Sequence, residues 1–430
     1  MTESLDWFLV LLLLLSTLAY TSVVGKSATH RAPPLPHARP GSRLAISPLP
    51  KIAPMWWDNS EGAYMVVLVV GAGVVELVLD TGSSKLSVKG VGCEWRSCTP
   101  LGCAVTACPC GFGADGTART ECTEHYYQPT GPRLAPGERG AGLSTTMTYG
   151  SQTDTVEHYM DRVAVPVASA ALTCAHLANA PSPGVLVEIL GSGASDASRL
   201  HVGDLVVHRV SHIEGTSSSN MVGLARPGNG NREHGARVVL DDMMTESKIW
   251  SIVLRETGGW LALGALPCFP TPHYIPMMKP PSFTNFLTSF YVVSVVSIAV
   301  GPSLTALKKL RNIPRYCVID TGTTSTFGST LLGEALDAAG YNENGSVLQL
   351  KLGAMLAPLT LNYTPSQLRD PDYPSQGIVE AWPGRTLDDY SLIFPDRDGG
   401  VLLMGAVMMS GFYWEFDLNK RRIGVTDLRS

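Results

Sequence analysis

From Tyr64 to Asp80 the chain is dense in apolar and β-branched residues, broken only at Gly71-Ala72-Gly73. This pattern predicts two strands joined by a turn. The second strand, Val74 to Leu79, runs into a carboxylate, Asp80, and Thr81-Gly82-Ser83-Ser84 then turns the chain sharply. The arrangement recurs 240 residues later (320 − 80): Cys317-Val318-Ile319 leads into Asp320-Thr321-Gly322-Thr323-Thr324. Strand ends that feed tight turns hold chemical groups on a rigid base. The glycines after each aspartate, Gly82 and Gly322, let backbone approach the carboxylates where a side chain would clash.

Other apolar stretches extend the pattern. Residues Thr145 to Ser151 and Val156 to Val167 predict a hairpin around Tyr149-Gly150, with the glycine at its tip. Met221-Val222-Gly223-Leu224-Ala225 and Leu402-Leu403-Met404-Gly405-Ala406 are matching apolar segments, one after each Asp turn. Trp250 to Leu254 and Trp260 to Gly264 predict a strand pair separated by Gly258-Gly259, and Tyr291 to Val300 a strand ahead of Asp320. The repeated order implies an internal duplication: an all-β chain of two similar lobes with a cleft between them.

Composition narrows the class. At 430 residues with 45% apolar and 16% charged residues, the chain can bury a large core. A formal charge of −5 without a basic stripe argues against nucleic acid as a partner. The apolar run Phe8 to Leu18, with small residues at Ser22 and Gly25, predicts a signal peptide over residues 1–25. Glu3 and Asp6 with no Lys or Arg before the run depart from that pattern, and an uncleaved membrane anchor is the rival. After cleavage no stable anchor is expected, because no later segment is suited to span a bilayer. Residues 26–55, rich in Pro, Arg and His, predict a linker or propeptide.

Nine cysteines behind such a leader point to an oxidising compartment, hence the secretory pathway. Six of them (Cys93, Cys98, Cys103, Cys108, Cys110 and Cys122) fall in one loop after Val88. Zinc is disfavoured because Cys-x₂-Cys pairs are absent, so disulfides are expected there. Cys268 and Cys317, both in the second half, can pair with each other, which would leave Cys174 free. Asn344-Gly345-Ser346 and Asn362-Tyr363-Thr364 are N-glycosylation acceptor triplets.

The two Asp-Thr-Gly turns with their flanks resemble the pepsin-like aspartic proteases, and the cysteine-rich insertion at 93–122 resembles that of the nepenthesin-type branch. Phe416 to Asn419 with Arg422 to Val425 is similar to the closing hairpin of such chains. The resemblance covers about residues 60–428. It implies a bilobal acid-protease fold, with lobes at 56–242 and 243–430 and Asp80 and Asp320 as the catalytic pair. It further implies that Thr81 and Thr321 tie the turns together and that Ser83 and Thr323 hydrogen-bond the outer carboxylate oxygens. Tyr149 and Gly150 would form a flap over an extended peptide held beside Gly82, Gly322 and Thr323. The implied activity is acid-dependent peptide hydrolysis by a monomer without cofactor or metal, secreted or in an acidic vacuole or lysosome, with the basic 26–55 segment covering the cleft beforehand.

Three positions depart from the family pattern: Ser87 where many members carry a flap-bracing Trp, Ala406 where Asp is usual, and Asn220 with serines where Asp-Gly is usual. An alternative from another class is a pepsin-like protein without catalysis that works as a binding or inhibitor protein. Both Asp turns are complete here, which favours the enzyme.

Overall fold

The computed structural model describes residues 51–430, except 182–198, 227–247 other than Val239, 279–289, 365–400 and several shorter stretches. The signal-peptide expectation, residues 26–50 of the leader, Gly150 and Asn344 lie outside the described residues. Among the described residues strand accounts for 61% and helix for 6%, so the described part is nearly all-β. The first half contains β1 (Lys51–Asp58), β2 (Ala63–Val70), β3 (Gly73–Asp80), β4 (Leu86–Thr99), β5 (Gly102–Ala107), β6 (Gly111–Phe112), β7 (Ala118–Arg119) and β8 (Arg133–Leu134). It continues with β9 (Thr146–Tyr149), β10 (Gln152–Pro166), β11 (Arg199–Glu214) and β12 (Met221–Gly223). The second half contains β13 (Ile249–Arg255), β14 (Gly258–Leu263), β15 (His273–Pro276), β16 (Tyr291–Gly301), β17 (Lys308–Lys309) and β18 (Tyr316–Ile319). It closes with β19 (Val347–Ala354), β20 (Ala357–Tyr363), β21 (Val401–Met404), β22 (Phe412–Asp417) and β23 (Arg422–Asp427). Short helices described in full are α1 (Cys174–Leu177) and α2 (Ala406–Met409).

Residues 49–430 form one compact unit. A large sheet crosses between the halves in the order β15-β23-β22-β13-β14-β1-β2-β3-β12-β4-β11-β10-β8, and a second sheet runs β20-β19-β16-β18-β21. The crossing point is β1, which pairs with β14 from Lys51↔Leu263 to Trp56↔Gly258 and with β2 from Met55↔Val66 to Asp58↔Ala63. Residues 51–55, expected in the leader, are therefore a core strand, with Ala53 and Met55 buried. Their apolar character was hidden by averaging with the Pro-, Arg- and His-rich stretch before them.

β2 is buried along its whole length, so it reads as a continuous apolar run, the pattern of a strand covered on both faces. Its neighbour β3 pairs with it from Met65↔Val78 to Val70↔Gly73 and carries Asp80 at its end. Three fully buried tryptophans, Trp250, Trp260 and Trp414, anchor the second half. Trp250 stacks on Phe416 with ring centroids 4.1 Å apart. Its indole N–H donates to the Tyr291 hydroxyl (3.2 Å), which donates to the Leu224 carbonyl (2.7 Å). Burying both tips of this aromatic pair in hydrogen bonds removes the cost of burying them bare.

The structure corrects three local expectations. The cysteine-rich stretch is not a plain loop: β4 runs on to Thr99 and folds back against β5, from Glu94↔Ala107 to Thr99↔Gly102. Gly258 and Gly259 begin β14 rather than forming the turn. An added Cβ at Gly258 would press on the Met55 carbonyl at 2.5 Å, so β1 can approach only a glycine there. Cys268 bonds to Cys174, not to Cys317, which is a buried free thiol. Cys317 lies in the core cluster, whereas Cys174 on α1 is bonded to Cys268, which packs against the cluster of Leu177, Trp260 and Tyr413.

Cys93 and Cys108 form a further disulfide, consistent with an oxidising compartment. No described helix is long and apolar enough to cross a membrane. Asn362 lies in β20 opposite Gln349, and its side-chain oxygen accepts from the Gln349 amide at 3.1 Å. The Cys174–Cys268 bridge closes a separation of 94 residues. Replacing both cysteines by serine should cost up to about 4.7 kcal/mol by loop entropy. The expected result is a lower Tm for the variant, and a wild-type Tm that drops at least as far under reductant, which also opens Cys93–Cys108.

Candidate active site

The two Asp turns, 240 residues apart in sequence, meet at one point. Each is delivered by the same backbone device. β12 runs parallel to β3, with Gly223 opposite Asp80, and β21 runs parallel to β18, with Met404 opposite Ile319. Beneath the first turn the Leu224 N–H donates to the Asp80 carbonyl and the Ala225 N–H to that of Ser83, both at 2.6 Å. Beneath the second, the Ala406 N–H donates to the Thr323 carbonyl at 2.7 Å and the Asp320 N–H to that of Met404 at 3.0 Å. The duplicated sequence thus folds into duplicated geometry.

Between the turns, Thr81 and Thr321 exchange hydrogen bonds reciprocally. The Thr81 N–H donates to Thr321 Oγ1 (3.1 Å) and the Thr321 N–H to Thr81 Oγ1 (2.9 Å). Each hydroxyl then donates across to the opposite strand: Thr81 Oγ1 to the Ile319 carbonyl (2.9 Å), Thr321 Oγ1 to that of Leu79 (2.6 Å). Both threonines are fully buried, so these four bonds are shielded from water and hold the turns in one register.

Asp80 and Asp320 are 5% and 8% exposed, and each carboxyl lies against the glycine of the opposite turn, close enough for the Asp320 charge to act on Asp80. Gly82 N–H donates to Asp80 Oδ1 at 2.7 Å, Gly322 N–H to Asp320 Oδ1 at 3.0 Å, and Thr323 Oγ1 to Asp320 Oδ2 at 2.7 Å. A Cβ at Gly82 would lie 2.6 Å from Asp320 Oδ1, and one at Gly322 would collide with the Asp80 carboxyl. Each glycine is there for the opposite aspartate. The Ser83 hydroxyl lies 3.1 Å from Met221 Sδ while also favouring the Asp80 carboxylate, so the two halves differ at this position. Burial, then the Asp320 charge and the hydrogen bond to it, push the Asp80 carboxyl well above its ordinary range. Ser83 and the Gly82 N–H pull it partly back.

The expected flap is a hairpin. Tyr149 pairs with Gln152 across β9 and β10, and residues 150 and 151 between them lie outside the described residues. On the return strand, Asp154 accepts from the Gln152 amide at 2.5 Å, and burial raises its carboxyl to about 6. Lys89, 3% exposed, is brought down to about 8 by burial, against the attraction of Glu61 and Asp154. Lys89 lies on β4 two residues beyond Ser87.

Sequence inspection missed Glu61, Lys89 and Asp154. Lys89 carried a signal: it follows the run Leu86 to Val88 with no break in strand character. Asn220, noted as a departure, ties β3 to β4: its side chain donates to the Glu76 carbonyl (3.3 Å) and accepts from the Lys89 N–H (2.8 Å). Gly62, in the left-handed region at φ +59°, presses the β1–β2 turn against Thr324, where a Cβ would lie 2.6 Å from the hydroxyl. No group of three or more metal-ligating side chains occurs among the described residues. No family model matches the chain, and no curated protein matches it.

Proposed function

We propose that this chain is a bilobal, pepsin-like aspartic endopeptidase that hydrolyses peptide bonds with Asp80 and Asp320. The observation that carries this reading is the carboxyl pair, buried, brought together by two matching turns and fixed by the Thr81–Thr321 exchange. Two carboxyl groups in contact cannot both ionise, so the pair holds one proton over a wide pH range. The ionised member takes a proton from a water molecule, which attacks the scissile carbonyl carbon. The protonated member hydrogen-bonds the carbonyl oxygen and then supplies the proton that the departing nitrogen needs. Neither step requires a covalent enzyme intermediate.

Substrate lies extended between the lobes, residues 56–242 and 243–430, and adds as a strand along the β9–β10 hairpin. Gly82, Gly322 and Thr323 offer backbone and hydroxyl groups beside it, and Tyr149 closes over it. The compartment is extracellular or a vacuole of the secretory pathway. The test is cleavage of an unstructured protein from pH 3 to 7, with pepstatin as probe and Asp320→Asn as control. Cleavage abolished by both supports the proposal. Folded protein, freed of residues before Leu49, that cleaves nothing at any pH would overturn it in favour of a non-catalytic binding protein.

A further inference from the structure

Two buried histidines occupy the middle of the β10–β11 ribbon and play no part in the site above. Three successive cross-strand pairs share one face of that ribbon: Met160↔Val206, His158↔His208 and Val156↔Val210. The outer two belong to apolar clusters, with Leu134 at one end and Cys93, Cys108 and Met147 at the other. The middle pair is polar, 3% and 2% exposed, with the two Nδ1 atoms 2.9 Å apart and the rings edge-on at 4.9 Å between centroids. A bond of that length needs one nitrogen as donor and the other as acceptor, so at least one Nδ1 must be bare of its proton. A second N–H aimed across 2.9 Å would face the first with no acceptor between them.

We propose that the His158–His208 pair is an acid-sensitive joint: neutral, it clips β10 to β11 beneath the β9–β10 hairpin, and on protonation it loosens the ribbon that carries that hairpin. The inference does not depend on the hydrolytic reading. The surroundings make added charge unwelcome. β4 runs parallel to β11, setting Ser87 opposite His208 and Lys89 opposite Val210. The Lys85 ammonium of the same segment repels an imidazolium. β8 contributes Leu134 opposite His158, and β12 contributes Met221 opposite Ser87. The charges of Glu157, Arg209 and Arg133 are joined on the other face, by ion pairs of 2.6 and 2.9 Å.

Burial first, then Lys85 and the His158 ring, hold the His208 imidazole well below its ordinary value. For a group depressed in the folded state, the stability is complete above the unfolded value, about 6.5, and is lost as pH falls through the folded one. Asp154, on β10, works in the opposite sense. Burial raises its carboxyl to about 6, so its protonation relieves a cost as the medium turns acid. The joint must therefore be read by difference, with Asp154 unchanged in both proteins.

The experiment is amide hydrogen exchange of the full chain at pH 7 and pH 5, corrected for intrinsic exchange, beside the double variant His158→Asn/His208→Asn. An asparagine amide reaches the place of Nδ1, keeps a hydrogen bond and does not titrate. Peptides covering 152–166 and 199–214 should lose about tenfold or more of their protection in wild type relative to the variant, a factor of ten for each unit of depression. The β19–β20 hairpin is the internal control and should not change. The same change in protection between the two pH values in wild type and variant would overturn the proposal. If the variant does not fold, histidine ¹⁵N resonances of wild type decide: two rings staying neutral well below pH 6.5 support the joint, and ordinary titration of both sinks it.

Discussion

Asp80→Asn is expected to abolish peptide hydrolysis and, at neutral pH, to make the protein more stable than wild type. The loss of activity follows from the pair's chemistry: asparagine keeps the shape and can donate to Asp320, but it can neither share the pair's proton nor exchange one with water or substrate. A fall of at least about 10³-fold is expected for removal of one member of the pair. The gain in stability follows from the site's cost. Burial, then the neighbouring Asp320 charge, lift the Asp80 carboxyl well above its ordinary value. For a carboxyl raised in the folded state, the associated stability is intact below the unfolded value, about 3.9, and is lost as pH rises through the folded value. The variant escapes that loss. Tm measured against pH for the two proteins should nearly coincide in strong acid and diverge toward pH 7, with the variant above. A variant equally or less stable at pH 7 would mean that Asp80 is not held under electrostatic strain.

Thr321→Val is the second large effect, this time on both folding and chemistry. Valine matches threonine in volume, so packing is kept while the hydroxyl is lost. Two buried backbone groups lose their partner at once: the Leu79 carbonyl, bonded at 2.6 Å, and the Thr81 N–H, bonded at 3.1 Å. Each unsatisfied group costs about 1–3 kcal/mol, so destabilisation of roughly 2–6 kcal/mol is expected. Thr321→Ser restores the hydroxyl and should recover most of the loss. Chemical denaturation reads the stability, and kcat reads how far the turns have drifted apart. If valine and serine variants were equally stable, the reciprocal bonds would be incidental to the turns' register.

Much of this was legible along the chain because it is local. The strands β2 and β3, the Asp80 and Asp320 turns and the strand β16 follow from runs of β-branched residues ended by glycine and hydroxyl residues. The β9–β10 hairpin follows from alternation around Tyr149 and Gly150. Short-range sterics settle such features, and repetition of the Asp-Thr-Gly turn made the site conspicuous.

What stayed hidden depends on partners distant in sequence. No local pattern in Lys51 to Asp58 announces that β1 will fill the gap between β2 and β14. The strand β11 was passed over because His201, His208, Arg209 and His212 interrupt its apolar positions. Burial of His208 requires the ring of His158, which only the β10–β11 register supplies. The choice of Cys174 over Cys317 as the partner of Cys268 is of the same kind: α1 brings Cys174 beside Cys268, while Cys317 is buried in the core. The sequence specified which turns carry carboxylates, because a turn is decided by its own few residues. The fold alone decided how near those carboxylates lie and which charges surround them, because distance and burial are properties of chain segments brought together.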